Sequence, residues 1–482
     1  MIHMNNYNTV LPQAFAERMR RLLGSEYESF SASYERERQY GLRRNPLKGS
    51  EEAFRRVTPF PLEKIPWARE GYYYEAESRP GRHVLHEAGA YYIQEPSAMA
   101  VAETLTPKPG ERILDLCAAP GGKSTQIAGR MQGQGLLVSN ELIGERARIL
   151  SQNVERMGIS NCVVCSEQPE RMSVRFPSFF DRVLVDAPCS GEGMFRKDET
   201  AGEEWSPAAV EMCATRQSMI LEEAAKMVRP GGVLVYSTCT FSPEENEGTV
   251  SAFLHTHEEY YIEETDLEDI FSPGRGDWID APAAGIEHTL RLWPHLIRGE
   301  GHYVARLRRR GQNPEEERRQ TAQKRAEDLQ RREEKWNVGG DKKLCKLIES
   351  FLREDLGIGD AWLSRHPGKI ARFGEHIYLV PEDMPSLDGI KVLRPGLQLL
   401  AEKKNRFEPA HALAGTLSEK DTEKGRALTE AEAVSYLRGE SLICGEERGW
   451  TTLFYEGYPL GFGKASGGQM KNHYPKGLRL SF

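Results

Sequence analysis

Between residues 105 and 310 the chain alternates short apolar runs with longer segments whose apolar residues recur three and four apart. The runs are "RILDLC", "GLLVSNE", "CVVCSE", "FDRVLVDAPC" and "GGVLVYSTCT". Helices are predicted from Lys123, in "LIGERARILSQNVERMG" and in "SPAAVEMCATRQSMILEEAAKMV". Strands this apolar have no wet face, and parallel neighbours need a crossover helix between them. The pattern therefore specifies an α/β domain, a parallel sheet with helices on both faces. "LRLWPH" and "GEGHYVARLRRR" are predicted to finish the sheet as a strand pair.

At 482 residues the chain exceeds one ordinary domain. Residues 1–104 form a mixed extension, 105–310 the α/β domain, 311–342 a charged linker, 343–395 a small domain and 396–482 a β-rich one. In the extension, Phe15, Met19, Leu22 and Leu23 stand at helical spacing. "GYYYEAESRPGRHVLHEAGAYYIQEPS" reads as short aromatic strands, whose rings either stack on bases or pack in the strands. No run approaches the ~20 apolar residues of a membrane span, and the first residues lack a signal-peptide pattern. A cytoplasmic monomer with no membrane partner is expected.

Net charge is −8, which argues against a general nucleic-acid coat, but charge distribution matters more than its sum. No Asp or Glu follows Glu456, whereas Lys464, Lys471, Lys476 and Arg479 do, interleaved with Tyr458, His473 and Tyr474. That combination predicts an RNA-binding face. Of eight cysteines, Cys162 and Cys165 stand three apart with no second pair and no nearby histidine, so no metal site is expected.

In an open parallel sheet, ligands bind beyond the carboxyl ends of the strands. "LDLCAAPGGKS" ends the first strand in a turn whose Gly121 and Gly122 let the backbone approach a ligand, and the helix that follows offers unpaired N–H groups. Glu141 closes the next strand, where a carboxylate can accept both ribose hydroxyls. There is no G-x-G-x-x-G, and position 117 is Cys where a phosphate-binding loop needs Gly. A nucleoside cofactor without phosphate is indicated, and S-adenosyl-L-methionine fits.

"VDAPCSG" sets Asp186 and Cys189 past the fourth strand, and "YSTCT" sets Cys239 past the fifth. Neighbouring strand ends turn both thiols to one cleft. Carbon 5 of cytosine is a poor nucleophile until a thiolate adds to carbon 6, and the adduct must later lose its carbon-5 proton and expel the sulfur. One thiolate attacks and a second group assists release. Asp186 could supply a proton or hydrogen bond at nitrogen 3, and Lys123 a charge that lowers a thiol pKa. The residues alone leave the two thiol roles interchangeable.

The linked motifs "CAAPGGK", "DAPCSG" and "STCT", with "YIQEPSAM" ahead of them, resemble the RNA cytosine-5 methyltransferases of the Nol1/Nop2/Sun family. The resemblance implies a Rossmann-like, S-adenosylmethionine-dependent core with an N-terminal α+β RNA-binding extension. It makes Cys239 the nucleophile and Cys189 the residue that assists release. It also implies that Cys117, Ala118, Ala119, Pro120, Gly121, Gly122 and Lys123 line the cofactor, that Glu141 and Arg146 hold its ribose side, and that Asp186 lies near the methyl donor. Where the family usually has Asp near adenine, this chain has Glu167 then Gln168, of which Glu167 carries the charge.

"GEGMFRK" and "NHYPKGLR" resemble a bacterial branch, the 16S ribosomal RNA methyltransferase F group, which implies a C-terminal PUA-like RNA-binding domain and 16S ribosomal RNA of the small subunit as substrate. A transfer-RNA cytosine-5 methyltransferase and a non-catalytic RNA-binding assembly factor on the same fold are the alternatives. The intact cysteines and cofactor turn weigh against the second. A protein or small-molecule methyltransferase would have no use for two thiols.

Overall fold

The computed structural model describes residues 11–197, 199–311, 342–404 and 406–480. Five parallel strands carry the fold: β1 (Arg112–Asp115), β2 (Leu136–Asn140), β3 (Cys162–Cys165), β4 (Phe180–Asp186) and β5 (Val228–Thr238). Their spatial order is β5-β4-β1-β2-β3, so chain direction across the sheet reverses between β4 and β1. Alternate residues enter opposite cores: Leu114, Val138, Val163 and Val183 pack on one face, and Ile113, Leu137, Val164 and Leu184 on the other. Burial on both faces is why the runs look uniformly apolar. Beyond β5 the strand His302–Arg309 runs antiparallel and pairs with Leu290–Leu292, the predicted terminal pair.

The other edge was not foreseen. Val392–Arg394 pairs antiparallel with β3, so the sheet takes a strand from far outside residues 105–310. A three-residue strand carries no periodicity, but it covers an edge that would otherwise stay open. A separate four-stranded sheet (Lys369–Phe373, His376–Val380, Leu397–Lys403, Arg406–Pro409) draws strands from both sides of the expected 395/396 division. Most of the expected 311–342 linker lies outside the described residues, as do residues 1–10.

The N-terminal extension does two things. Its antiparallel sheet (Glu63–Lys64, Gly71–Tyr74, Tyr40–Arg44, Tyr91–Ile93) shares one core with the last domain, where Leu42, Tyr72 and Tyr91 meet Tyr436, Tyr458 and Tyr474. Tyr72, Tyr73, Tyr91 and Tyr92 are all buried, which decides for strand packing over base stacking. The same holds in the tail, where Tyr458 and Tyr474 are core residues and His473 packs edge-on against Trp450. Only the basic part of that predicted face, Lys471 and Lys476, is exposed. The extension's helices Gln13–Leu23 and Tyr27–Ser33 pack elsewhere: Phe15 meets Phe195 edge-on at 5.1 Å and Phe30 meets Phe241 at 5.4 Å. Phe195 and Phe241 belong to the loops after β4 and β5, so these helices brace both cysteine-bearing loops.

Candidate active site

The reversal between β1 and β4 opens a crevice at their carboxyl ends, the place where sheets of this topology bind ligands. The turn after β1 is fixed by its carbonyls. Arg146 donates to Ala119 O (3.0 Å), Asn153 to Pro120 O (2.8 Å) and Arg43 to Gly122 O (3.1 Å). Gly121 has φ +116°, and a Cβ there would stand 3.1 Å from Leu150; one on Gly122 would stand 3.3 Å from Tyr92. Gly121 is thus bare where the turn packs on Leu150, and Gly122 where it meets Tyr92 at the cavity wall. Behind the turn, burial pushes the Asp115 carboxyl up to about 7, although Ser124 donates to it at 2.6 Å.

These residues fit S-adenosylmethionine. The glycine cradle and the start of helix Gly122–Met131 face the crevice. Glu141, buried at the end of β2, holds Ile143 N–H at 3.0 Å and lies 3.5 Å from Arg146, with carboxylate capacity left for a diol. Lys123 is committed to Asp186 at 2.7 Å, which suits a cofactor that brings no phosphate. The third expected contact is placed differently. The buried Glu167 carboxylate takes the N–H of Gln168 (3.0 Å) and of Lys391 (3.1 Å), and Arg171 lies 3.4 Å away. Gln168, beside it, is exposed. Cys117 is half-buried against the core, and burial pushes its thiol up, which leaves its backbone as its contribution to the turn.

The two loops meet as predicted. Cys189 Sγ and Cys239 Sγ are 3.2 Å apart. The hydrogen bond to Cys239, then burial, raises the Cys189 thiol well above its ordinary value. Asp186 takes Ser237 Oγ–H at 2.7 Å on one oxygen and Lys123 on the other. Burial opposes the Lys123 charge, but Asp186, with smaller help from Cys239, holds its pKa above normal.

Two buried carboxylates that sequence reasoning missed hold the loops. Glu192 accepts from Trp205 Nε1 (2.9 Å), Phe241 N (2.8 Å) and Ser242 Oγ (2.5 Å), tying the β4 loop to the β5 loop. Glu245 accepts from Ser190 N (3.0 Å) and Gln217 Nε2 (2.7 Å) through one oxygen; the other has no hydrogen-bond partner among the described residues, and burial raises the carboxyl to about 7. Acidic residues in loops normally read as solvated, and nothing local in "GEGMF" or "PEENE" signals burial.

A cavity of about 210 Å³ joins these parts. Ala118, Ala119, Pro120, Gly122 and Lys123 line one side, Asp186, Cys239 and His302 the other, and Tyr92 and Gln94 close it from the extension. Gly121, Glu141, Arg146, Glu167 and Cys189 lie outside its lining. No cluster of metal-ligating side chains occurs among the described residues, and Cys162 and Cys165 are both buried.

A Rossmann-like sheet with a glycine turn after its first strand, a buried carboxylate at the end of the next and a crevice between them fits one class: an S-adenosylmethionine-dependent methyltransferase. Comparison with known proteins narrows it. Residues 102–308 match the 16S rRNA methyltransferase RsmB/F family, 11–96 the N-terminal domain of 16S rRNA methyltransferase RsmF, 350–417 the RsmF first C-terminal domain and 426–480 the RsmF PUA domain. The chain is 31% identical over 490 residues to the ribosomal RNA small subunit methyltransferase F of Vibrio vulnificus, covering 98% of each chain. It is 32% identical over 494 residues to that of Pectobacterium carotovorum, covering 97% of this chain and 96% of the relative. Among solved structures, a methyltransferase homologue from Pyrococcus horikoshii is 28% identical, with TM-score 0.55 over 61% of this chain and 94% of that one. NSun6 from the same organism, solved with SFG, an S-adenosylmethionine analogue, shares the fold at TM-score 0.53 and 23% identity over 62% of this chain and 99% of that one. This chain belongs to the ribosomal RNA small subunit methyltransferase F family and is an S-adenosylmethionine-dependent RNA methyltransferase.

Proposed function

We propose that this protein methylates carbon 5 of a cytosine in 16S ribosomal RNA through a covalent Cys239 adduct. The observation that carries the reading is the 3.2 Å contact between Cys189 and Cys239 beside the Lys123–Asp186 pair. A methyltransferase acting on a nucleophilic oxygen or nitrogen has no need of two thiols, whereas an unreactive ring carbon needs one to attack and one to help release.

The residues divide the work as follows. A base from structured RNA is flipped into the cavity. Cys239, as its thiolate, adds to carbon 6. The Lys123–Asp186 pair answers the charge that develops at nitrogen 3. S-adenosylmethionine, when bound by the Cys117–Lys123 turn and Glu141, supplies an electrophilic methyl group. Cys189 loses its own proton to solvent once Cys239 is joined to the base, then takes the carbon-5 proton as the bond from Cys239 to carbon 6 breaks. One proton leaves per turnover, as the overall reaction requires.

The substrate reading is supported by the relatives, whose names specify small-subunit ribosomal RNA and one of which aligns with 98% of this chain. The test is a covalent trap. Cys189→Ala protein, mixed with S-adenosylmethionine and small-subunit RNA, is expected to accumulate a denaturation-resistant protein–RNA adduct, and Cys239→Ala to abolish it. An adduct that requires Cys189 and survives loss of Cys239 would reverse the roles. An adduct on transfer RNA alone would overturn the substrate.

A further inference from the structure

His302 opens the strand that follows β5 and lines the cavity opposite the cofactor turn. Its protons can be counted. Glu95 caps helix Pro96–Leu105, accepting from Ser97 N (3.0 Å) and Ala98 N (2.8 Å), and also takes Glu300 N–H at 2.8 Å. The Ser97 hydroxyl donates its one hydrogen to the same carboxylate. Ser97 Oγ can therefore only accept from its remaining neighbours, Gly301 N–H (3.2 Å) and His302 Nδ1 (3.0 Å). The His302 hydrogen must sit on Nδ1. Burial and the nearby Lys123 cation keep the ring neutral, with a pKa of about 4, against the opposing pull of Glu95, Asp186 and the Gly301 carbonyl. A neutral imidazole protonated at Nδ1 has a bare lone pair on Nε2, at the edge of the ring away from Ser97.

We propose that His302 selects cytosine over uracil, its Nε2 accepting a hydrogen bond from the exocyclic amino group of the flipped base. This rests on the cytosine reading above. Cytosine joined to ribose has one donor on its ring edge, the 4-amino group, and uracil presents a carbonyl oxygen in the same place. Against a fixed acceptor, one makes a bond and the other meets lone-pair repulsion. The Glu95–Ser97 relay is what fixes the acceptor, because a ring free to move its hydrogen to Nε2 would favour uracil. A site built around a buried hydrogen-bonding group rejects the wrong partner strongly, since the group is then left unpaired.

The test uses the full chain in the Cys189→Ala background and reads adduct formation on a denaturing gel. Two small-subunit RNA transcripts are compared, one with cytidine and one with uridine at the position identified by sequencing the trapped adduct. With His302 intact, cytidine is expected to be trapped about 100-fold faster than uridine. Adding His302→Phe is expected to bring the two rates within about threefold, chiefly by slowing cytidine. Ser97→Ala, which leaves His302 in place and frees its tautomer, is expected to raise uridine trapping. An unchanged cytidine-to-uridine ratio in both variants overturns the inference alone. A trapped adduct whose sequenced target is not a cytosine, or no trapped adduct from which to read the position, overturns the cytosine reading and the inference with it. A transcript with 2′-deoxycytidine at the target separates the remaining donor: if His302→Phe costs nothing on that substrate, His302 holds the ribose hydroxyl and the amino-group reading is wrong.

Discussion

Cys162 and Cys165 stand three residues apart and never meet; Cys189 and Cys239 stand fifty apart and touch. On a strand, side chains alternate between faces, so positions i and i+3 point oppositely. Cys162 enters the core on one face of the sheet and Cys165 the core on the other. Burial raises both thiols, Cys162 to about 12, which keeps them protonated and unreactive. Cys189 and Cys239 come from the ends of adjacent parallel strands, whose register sets Asp186 opposite Ser237 and delivers both loops to one point. Topology outranks proximity along the chain in deciding which thiols meet.

The largest effect that would break this contrast is at Cys239. Cys239→Ala is expected to lower methylation of small-subunit RNA at least ~10³-fold, because the proposed nucleophile has no substitute; turnover near wild type would put the two pairs on the same footing. Cys189→Ala is next, with loss of about 10²–10³-fold in steady-state turnover while single-turnover methyl transfer persists on trapped RNA. Asp186→Asn removes the carboxylate that holds Lys123 and is expected to cost on the order of 10²-fold in kcat with the melting temperature little changed.

Glu245→Gln sharpens the contrast through pH. Folded Glu245 keeps its proton up to about 7, whereas an unfolded-chain carboxyl releases it near about 4.3. The native state therefore binds more protons between those values, and this group's contribution to stability falls as pH rises through that window. Glu245→Gln can keep both hydrogen bonds to one oxygen, so its melting temperature should gain on wild type between pH 5 and pH 8; parallel curves would refute the assignment. The smallest effects belong to Cys162→Ala and Cys165→Ala. Each should cost about 1 kcal/mol of stability in denaturant titration and leave turnover within about twofold.

Much of this arrangement was legible beforehand, for a physical reason. Strands buried on both faces announce themselves by composition, and a strand's end then locates a side chain in space, as for Asp186 on the last residue of β4 and Glu141 and Cys239 just past β2 and β5. What could not be read depends on contacts between distant segments. Glu192 is buried where the two loops meet Trp205, and Glu245 where they meet Gln217 of the long helix. Glu167 was favoured for its charge, yet a peptide N–H from Lys391 engages that charge. The tail's aromatics have the same composition whether they face RNA or a core, and Tyr458 and Tyr474 found a core in the N-terminal extension. His302 lies in a strand recognised from the start, but its tautomer is decided by Glu95 and Ser97, some two hundred residues earlier.

The strand Val392–Arg394 also has a meaning in time. Val392 pairs with Cys165, Ser166 N–H donates to Lys391 O at 2.8 Å, and Lys391 N–H completes Glu167. The cofactor end of the catalytic sheet is thus finished by residues translated more than two hundred codons after the strand they cover. A nascent chain that has just released residue 310 holds both cysteines but an open sheet edge. An enzyme built this way closes the edge of its central sheet only after residues beyond 390 have been made.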